Sequence, residues 1–208
     1  DLLEGKVNLL IGTHRLLSSD VIFKDLGLLI VDEEHKFGVE HKEKIKEIKQ
    51  NVDVLTLSAT PIPRTLQMAL TGVRGFSTIN TPIENRMPVQ TYVIRKEKLA
   101  VKEIIERELA RGGQVYYLNN KIERLPNIAL EIQKLVKNAK VAIAHGKLSV
   151  DEMEDIMQRF INQEFNILLC TTIIENGIDI PNVNTIIVEN ADCFGLSQLY
   201  QIKGRVGR

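Results

Sequence analysis

The 208 residues predict an α/β fold built on parallel sheets, and three observations carry that prediction. Short apolar runs of strand length recur along the whole chain. Helical periodicities lie between several of them. Small polar or chargeable residues follow one run after another. Strands that alternate with helices favour parallel pairing through right-handed crossovers.

The strand-like runs are residues 7–11, 28–31, 54–57, 89–94, 115–118, 141–144, 167–170 and 185–188. Leu28-Leu29-Ile30-Val31 is apolar throughout, so it reads as a strand buried on both faces. Val101, Ile104, Ile105 and Leu109 share one helix face, and Gly112-Gly113 stops that helix. Ala129, Ile132, Leu135 and Val136 mark a second helix. Met153, Ile156, Met157, Phe160 and Ile161 mark a third, with Ser149 and Glu152 as a capping box at its start. That stripe is core packing. Residues 40–50 read as a solvated helix with Ile45 and Ile48 turned inward. No internal repeat or low-complexity tract is evident. Residues 81–88 hold two prolines, Asn85 and Arg86, and have no periodicity. They mark a join between two α/β units. The expected partition is a first domain over 1–82, a linker over 83–92 and a second domain over 93–208.

Composition narrows the function classes. Net charge is zero, so a whole-molecule basic field for nucleic acid is excluded; such binding must use local groups and backbone amides. Cys170 and Cys193 are far apart and lack metal-ligand spacing, which suits reduced thiols. No apolar run has transmembrane length and no signal-peptide pattern opens the chain, so no membrane partner and a cytoplasmic location are expected.

The polar residues then point to a site. Thr13-His14 follow the first run, Asp32-Glu33 the second and Ser58-Ala59-Thr60 the third. Asn119-Asn120 follow 115–118, His145-Gly146 follow 141–144 and Thr171-Thr172 follow 167–170. In open parallel sheets, ligands bind at the carboxyl edge of the strands. Singly, each residue also has a plain reading: a loop histidine at position 14 or 145, or a helix start at Thr60-Pro61. Carboxylates at a strand end suit magnesium and an attacking water. The chain closes on Gln201-Ile202-Lys203-Gly204-Arg205-Val206-Gly207-Arg208. Two arginines three apart on a helix face one side, and guanidinium groups match phosphate oxygens.

In this order, the motifs resemble those of the superfamily 2 helicases and translocases. Asp32-Glu33-Glu34-His35 resembles motif II, Ser58-Ala59-Thr60 motif III, residues 171–181 motif V and residues 201–208 motif VI. Ala59-Thr60-Pro61-Ile62-Pro63-Arg64-Thr65 and Gly204-Arg205-Val206-Gly207-Arg208 are similar to the double-stranded DNA translocases within it. That group holds the RecG-type fork helicases and the bacterial transcription-repair coupling factors. Residues 37–43, 84–93 and 198–201 lean toward the coupling factors, whereas His35 is the residue usual in fork helicases. Asn176 and Lys203 stand where threonine and arginine are usual.

The resemblance implies two RecA-like domains, the first truncated at its N-terminus and the second at its C-terminus, with ATP and Mg2+ as cofactors. Asp32 would hold magnesium through water, and Glu33 would polarise the attacking water. Gln201, Arg205 and Arg208 would reach the γ-phosphate; His35, Gly177 and Asp179 would line the nucleotide cleft. Ser58 and Thr60 would couple nucleotide state to domain closure. Thr13, His14, Arg64, Asn119, His145, Gly146 and Thr172 would touch DNA. Double-stranded DNA is the implied partner, with RNA polymerase and nucleotide-excision repair proteins bound by regions outside this segment. No G-x-x-x-x-G-K-[ST] loop occurs, so the segment alone is expected to bind ATP poorly and to hydrolyse none. The alternatives are a RecG-type remodeller of replication forks, a non-catalytic helicase-derived binding module and an RNA helicase.

Overall fold

The structure is a computed structural model, and it describes residues 1–48, 50–58, 75, 77–79, 81, 88–173 and 180–207, with only the backbone of His35. Two compact units divide the chain, Asp1–Thr78 and Ile79–Arg208.

In the first unit, β1 (Leu28–Asp32) and β2 (Asp53–Leu57) pair in parallel, Leu28 opposite Asp53 and Asp32 opposite Leu57. Between them run a 3-10 turn over Glu34–Lys36 and helix α1 (Val39–Ile48), which buries Ile45 as its periodicity requires. The expectation that residues 28–31 are buried on both faces is not met. Val31 is buried, but Leu28 and Ile30 are each 54% exposed, as are Leu55 at 49% and Leu57 at 45%. One face of this pair is covered and the other carries an apolar strip, so an uninterrupted run here records the chemistry of both faces but the packing of one. Residues 7–11 and 89–94 are not strands either. Leu9, Ile11, Tyr92 and Val93 are largely exposed. A strand needs a backbone partner, and no described strand pairs with either run.

The second unit holds four parallel strands in the order β4-β5-β3-β6: β3 (Gln114–Leu118), β4 (Val141–Ala144), β5 (Ile167–Cys170) and β6 (Val183–Val188). Four helices alternate with them or follow: α2 (Lys98–Ala110), α3 (Leu125–Leu135), α4 (Val150–Ile161) and α5 (Leu196–Lys203). One face of the sheet packs Tyr116, Leu118, Leu168 and Cys170 against Met157 and Phe160 of α4 and Ile202 of α5. The other packs Val115, Tyr117, Ile167 and Leu169 against Val101 and Ile105 of α2 and Ile128 and Ile132 of α3. β3 and β5 are therefore buried at every position, and each buried large side chain contributes about 1.5–3 kcal/mol. The capping box at α4 is present: Glu152 N–H donates to Ser149 Oγ at 3.3 Å, and Ser149 N–H to Glu152 Oε2 at 2.9 Å. It contributes about 1 kcal/mol.

Two buried polar side chains tie the amino edge of this sheet. Gln114 Nε2 donates to the carbonyls of Phe160 and Phe165 at 2.7 and 2.8 Å. Glu108, 1% exposed on α2, accepts from Arg111 Nε at 2.9 Å and from the Thr185 hydroxyl. Gly113 makes this possible, since a Cβ there would lie 1.8 Å from Glu108 Oε1. Gly113→Ala must push a buried, bonded carboxylate aside. It is expected to destabilise the chain by about 2–3 kcal/mol, measured by urea unfolding with tyrosine fluorescence. An unchanged midpoint would show that Glu108 relocates freely.

The two units repeat one local device, although the sequence reading saw no repeat. Strand residues Ile30-Val31 and Ile187-Val188 end in an acid, Asp32 or Glu189. Next comes a left-handed residue, Glu33 (φ 50°, ψ 50°) or Asn190 (φ 51°, ψ 52°). A three-residue 3-10 turn follows, then Phe37-Gly38 or Phe194-Gly195, then α1 or α5. The hydrogen bonds repeat too. Phe37 N–H donates to Glu34 O and Phe194 N–H to Ala191 O, both at 3.2 Å. The shared residues lie at equal spacing but are few, so the strand, turn and helix starts reveal the repeat better than overall identity does.

Candidate functional site

In the first unit the parallel register sets Asp32, Glu33 and Ser58 side by side. Asp32 closes β1 opposite Leu57, the last residue of β2. The chain then turns through Glu33 in the left-handed region, uncommon for a residue with a side chain. Its N–H donates to Leu57 O at 3.0 Å, which fixes the turn against the neighbouring strand. Ser58 Oγ donates to Glu33 Oε2 at 3.5 Å, at the long limit of such a bond. The result is an exposed carboxylate beside a half-buried, oriented one. This all-oxygen pair suits Mg2+, which retains several waters and takes one or two carboxylates. Thr13 and His14 lie at a 3-10 turn over His14–Leu17; both are exposed, and the His14 ring meets His41 edge-on with centroids 5.2 Å apart. The His35 side chain, Thr60 and Arg64 lie outside the described residues.

In the second unit, sheet order lines the predicted polar residues along one edge. His145 follows β4, Thr171-Thr172 follow β5 and Asn119 follows β3. Gly146 is exposed, with nothing within 4 Å of a Cβ built on it, so its backbone is open to close approach. His145 is half-buried and its Nδ1 is buried without a hydrogen-bond partner among the described residues. Thr172 is half-buried in a turn.

Asn119 corrects its expected role. It is fully buried, its amide donates to Glu189 Oε2 at 2.5 Å and its Oδ1 accepts the Lys121 N–H at 2.9 Å. That side chain holds the strand edge together and presents no surface to a phosphate.

Glu189, which sequence reasoning passed over, is the hub of this edge. It is 7% exposed and accepts from Tyr117 Oη at 2.5 Å, from Asn119 and from the Lys96 ammonium. Burial pushes its carboxyl upward, but Lys96, Tyr117 and Asn119 outweigh that and hold it below the usual range. Burial and the adjacent carboxylate push the Tyr117 phenol up, so it stays a donor. Glu189 follows Val188 directly, so the rule that found Asp32 also fits it.

Gln201 sits half-buried on α5. The helix stops at Lys203, with Gly204 as its cap, and Gly207 takes φ +73°. Arg205 is therefore not on a helix, against expectation: the helix has ended at Lys203, and Gly207 in the left-handed region turns the chain just beyond it. It is instead set in a tight turn between buried Ile202 and Val206, its N–H donating to Ile202 O at 3.0 Å. Gly177, Asp179 and Arg208 lie outside the described residues. Among the described residues no group of three or more His, Cys, Asp or Glu could hold a metal, and no helix is long and apolar enough to cross a membrane.

One unit thus carries an acid turn beside its parallel strands, and the other a turn that bears Arg205. The family described as "Helicase conserved C-terminal domain" matches residues 96–208, and "DEAD/DEAH box helicase" matches residues 1–69. The chain belongs to the helicase family. It is 64% identical to the transcription-repair-coupling factor of Bacillus subtilis over 98% of its own length and 17% of that protein's. It is 58% identical to that of Staphylococcus aureus over 98% and 18%. The chain thus spans less than a fifth of these curated relatives. A structure of RecG bound to a three-way DNA junction matches with TM-score 0.69 and 39% identity, over 95% of this chain and 26% of RecG. Dbp5 of S. cerevisiae bound to RNA and ADP BeF3 shares the RecA-like fold, with TM-score 0.63 and 18% identity over 94% of this chain and 54% of Dbp5.

Proposed function

We propose that the chain is the motor segment of an ATP-dependent double-stranded DNA translocase acting in transcription-coupled repair in the cytoplasm. The observation that carries this reading is the acid turn at the end of β1, where Leu57 and Ser58 hold Glu33 beside Asp32. The likeness to transcription-repair-coupling factors supports the pathway. Asp32 would hold the magnesium of a bound ATP through water, an ion that would neutralise charge on the phosphates. Glu33 orients and deprotonates the attacking water. Gln201, Arg205 and Arg208 meet the γ-phosphate, with His35, Gly177 and Asp179 lining the nucleotide. Ser58, which touches Glu33, and Thr60 relay nucleotide state. The phosphate loop, the polymerase-binding region and the contacts to excision-repair proteins belong to the longer protein, and the domain limits are 1–82 and 93–208. Thr13, His14, Arg64, His145, Gly146 and Thr172 contact phosphates without reading bases, so binding weakens as salt rises.

The match to RecG favours a second reading, remodelling of replication forks by the same chemistry. The test is ATPase stimulation of the full-length protein by duplex DNA, single-stranded DNA and RNA. Duplex DNA is expected to stimulate most. Maximal stimulation by RNA would reject the DNA-translocase reading.

A further inference from the structure

Glu189 occupies, in the second unit, the place that Asp32 has in the first: the acid at the carboxyl end of a parallel strand, ahead of a left-handed residue, a 3-10 turn, Phe-Gly and a helix. The two acids have opposite surroundings. Asp32 is exposed, whereas Glu189 is buried and saturated by Tyr117 and Asn119 from β3 and by Lys96. The ammonium of Lys96 supplies the positive charge that offsets the burial of this carboxylate.

The position of Lys96 gives the contact its direction. It lies just before α2, on the stretch that continues from the segment joining the units. Glu189 lies just before the turn into α5, whose far end is the Gly204-Arg205 turn. Cutting the ion pair leaves a buried carboxylate short of its one cationic partner among the described residues, which is strongly unfavourable. Displacement of the connecting stretch therefore reaches the arginine along the chain, through the 3-10 turn over Ala191–Cys193 and then α5.

We infer that Glu189 is a positioning residue, clamped by Lys96, that ties the connecting segment to the helix and turn carrying Arg205 and so sets where the guanidinium sits during ATP turnover. The inference rests on the hydrolytic role proposed for Arg205. Catalytic groups displaced by about 1 Å lose roughly a hundredfold in rate, so a loosened tie is expected to cost about ten- to a hundredfold.

The test uses the full-length protein with Lys96→Met, Glu189→Gln, the double variant, Lys96→Arg and Arg205→Ala. Lys96→Met and Glu189→Gln are expected to lower DNA-stimulated kcat about tenfold or more, with KM for ATP within about twofold. The double variant falls no further than the worse single one, and Lys96→Arg recovers most of the rate. Amide hydrogen exchange in Leu196–Lys203 rises in Lys96→Met, while β3 and β5 stay protected. Unchanged exchange in α5 would overturn the inference, as would a uniform rise across β3, β5 and α5 or a normal kcat in both single variants. Normal turnover by Arg205→Ala would remove the hydrolytic reading by itself; the exchange measurement still decides whether the tie exists.

Discussion

Glu33→Gln in the full-length protein is expected to bind ATP with nearly unchanged affinity and to lose roughly a hundred- to ten-thousandfold in steady-state hydrolysis. The substitution is close to isosteric and keeps the contact geometry with Ser58, since an amide oxygen still accepts. The left-handed turn is held by the backbone, through Glu33 N–H to Leu57 O, so the fold has no reason to shift. What disappears is the ability to take a proton from water. Nucleotide affinity and turnover measured together check this. A normal rate would reject Glu33 as the base, and a joint loss of binding would point to a structural role for the turn.

Arg205→Ala is expected to reduce turnover by about a thousandfold or more, the range of arginine groups that stabilise phosphoryl transfer. Arg205 is held between Ile202 and Val206, each 1% exposed, so the turn that aims it is part of the core while its own side chain is only half-buried. Removing the guanidinium leaves those apolar anchors in place, and DNA affinity should be retained. The check is kcat against a duplex-binding isotherm at fixed salt. A fall in DNA affinity with normal hydrolysis would make Arg205 a contact to the nucleic-acid backbone.

Local chemistry made much of the fold legible. Residues 115–118 and 167–170 are short apolar runs that a two-sided sheet must bury, and they are the strands at its centre. Met153, Met157 and Phe160 announce α4, and Ser149 with Glu152 fixes where it starts. Residues 7–11 look just as strand-like. What separates them is the presence of a pairing partner, which pattern alone does not carry. The same limit explains Leu28 and Ile30, whose exposure depends on what lies over the sheet.

The polar edge followed the rule that ligands gather at strand carboxyl ends, yet that rule treats every polar residue alike. Asn119 and Glu189 sit on this edge and face inward, because each satisfies the other and Tyr117 adds a further bond. Lys96 completes the cluster from a distant point in the chain, so no local pattern could announce it. The end of α5 escapes the arginine spacing for a simpler reason: the helix stops at Lys203, and Gly207, at φ +73°, turns the chain where a helix would run on.

The paired turns carry a consequence for how such a machine meets its surroundings. Asp32 stands open to solvent, whereas its sibling brings a counterion encoded in the gene. With Asp32 holding magnesium as proposed, scarcity of the free ion starves one turn and leaves the internally neutralised one intact.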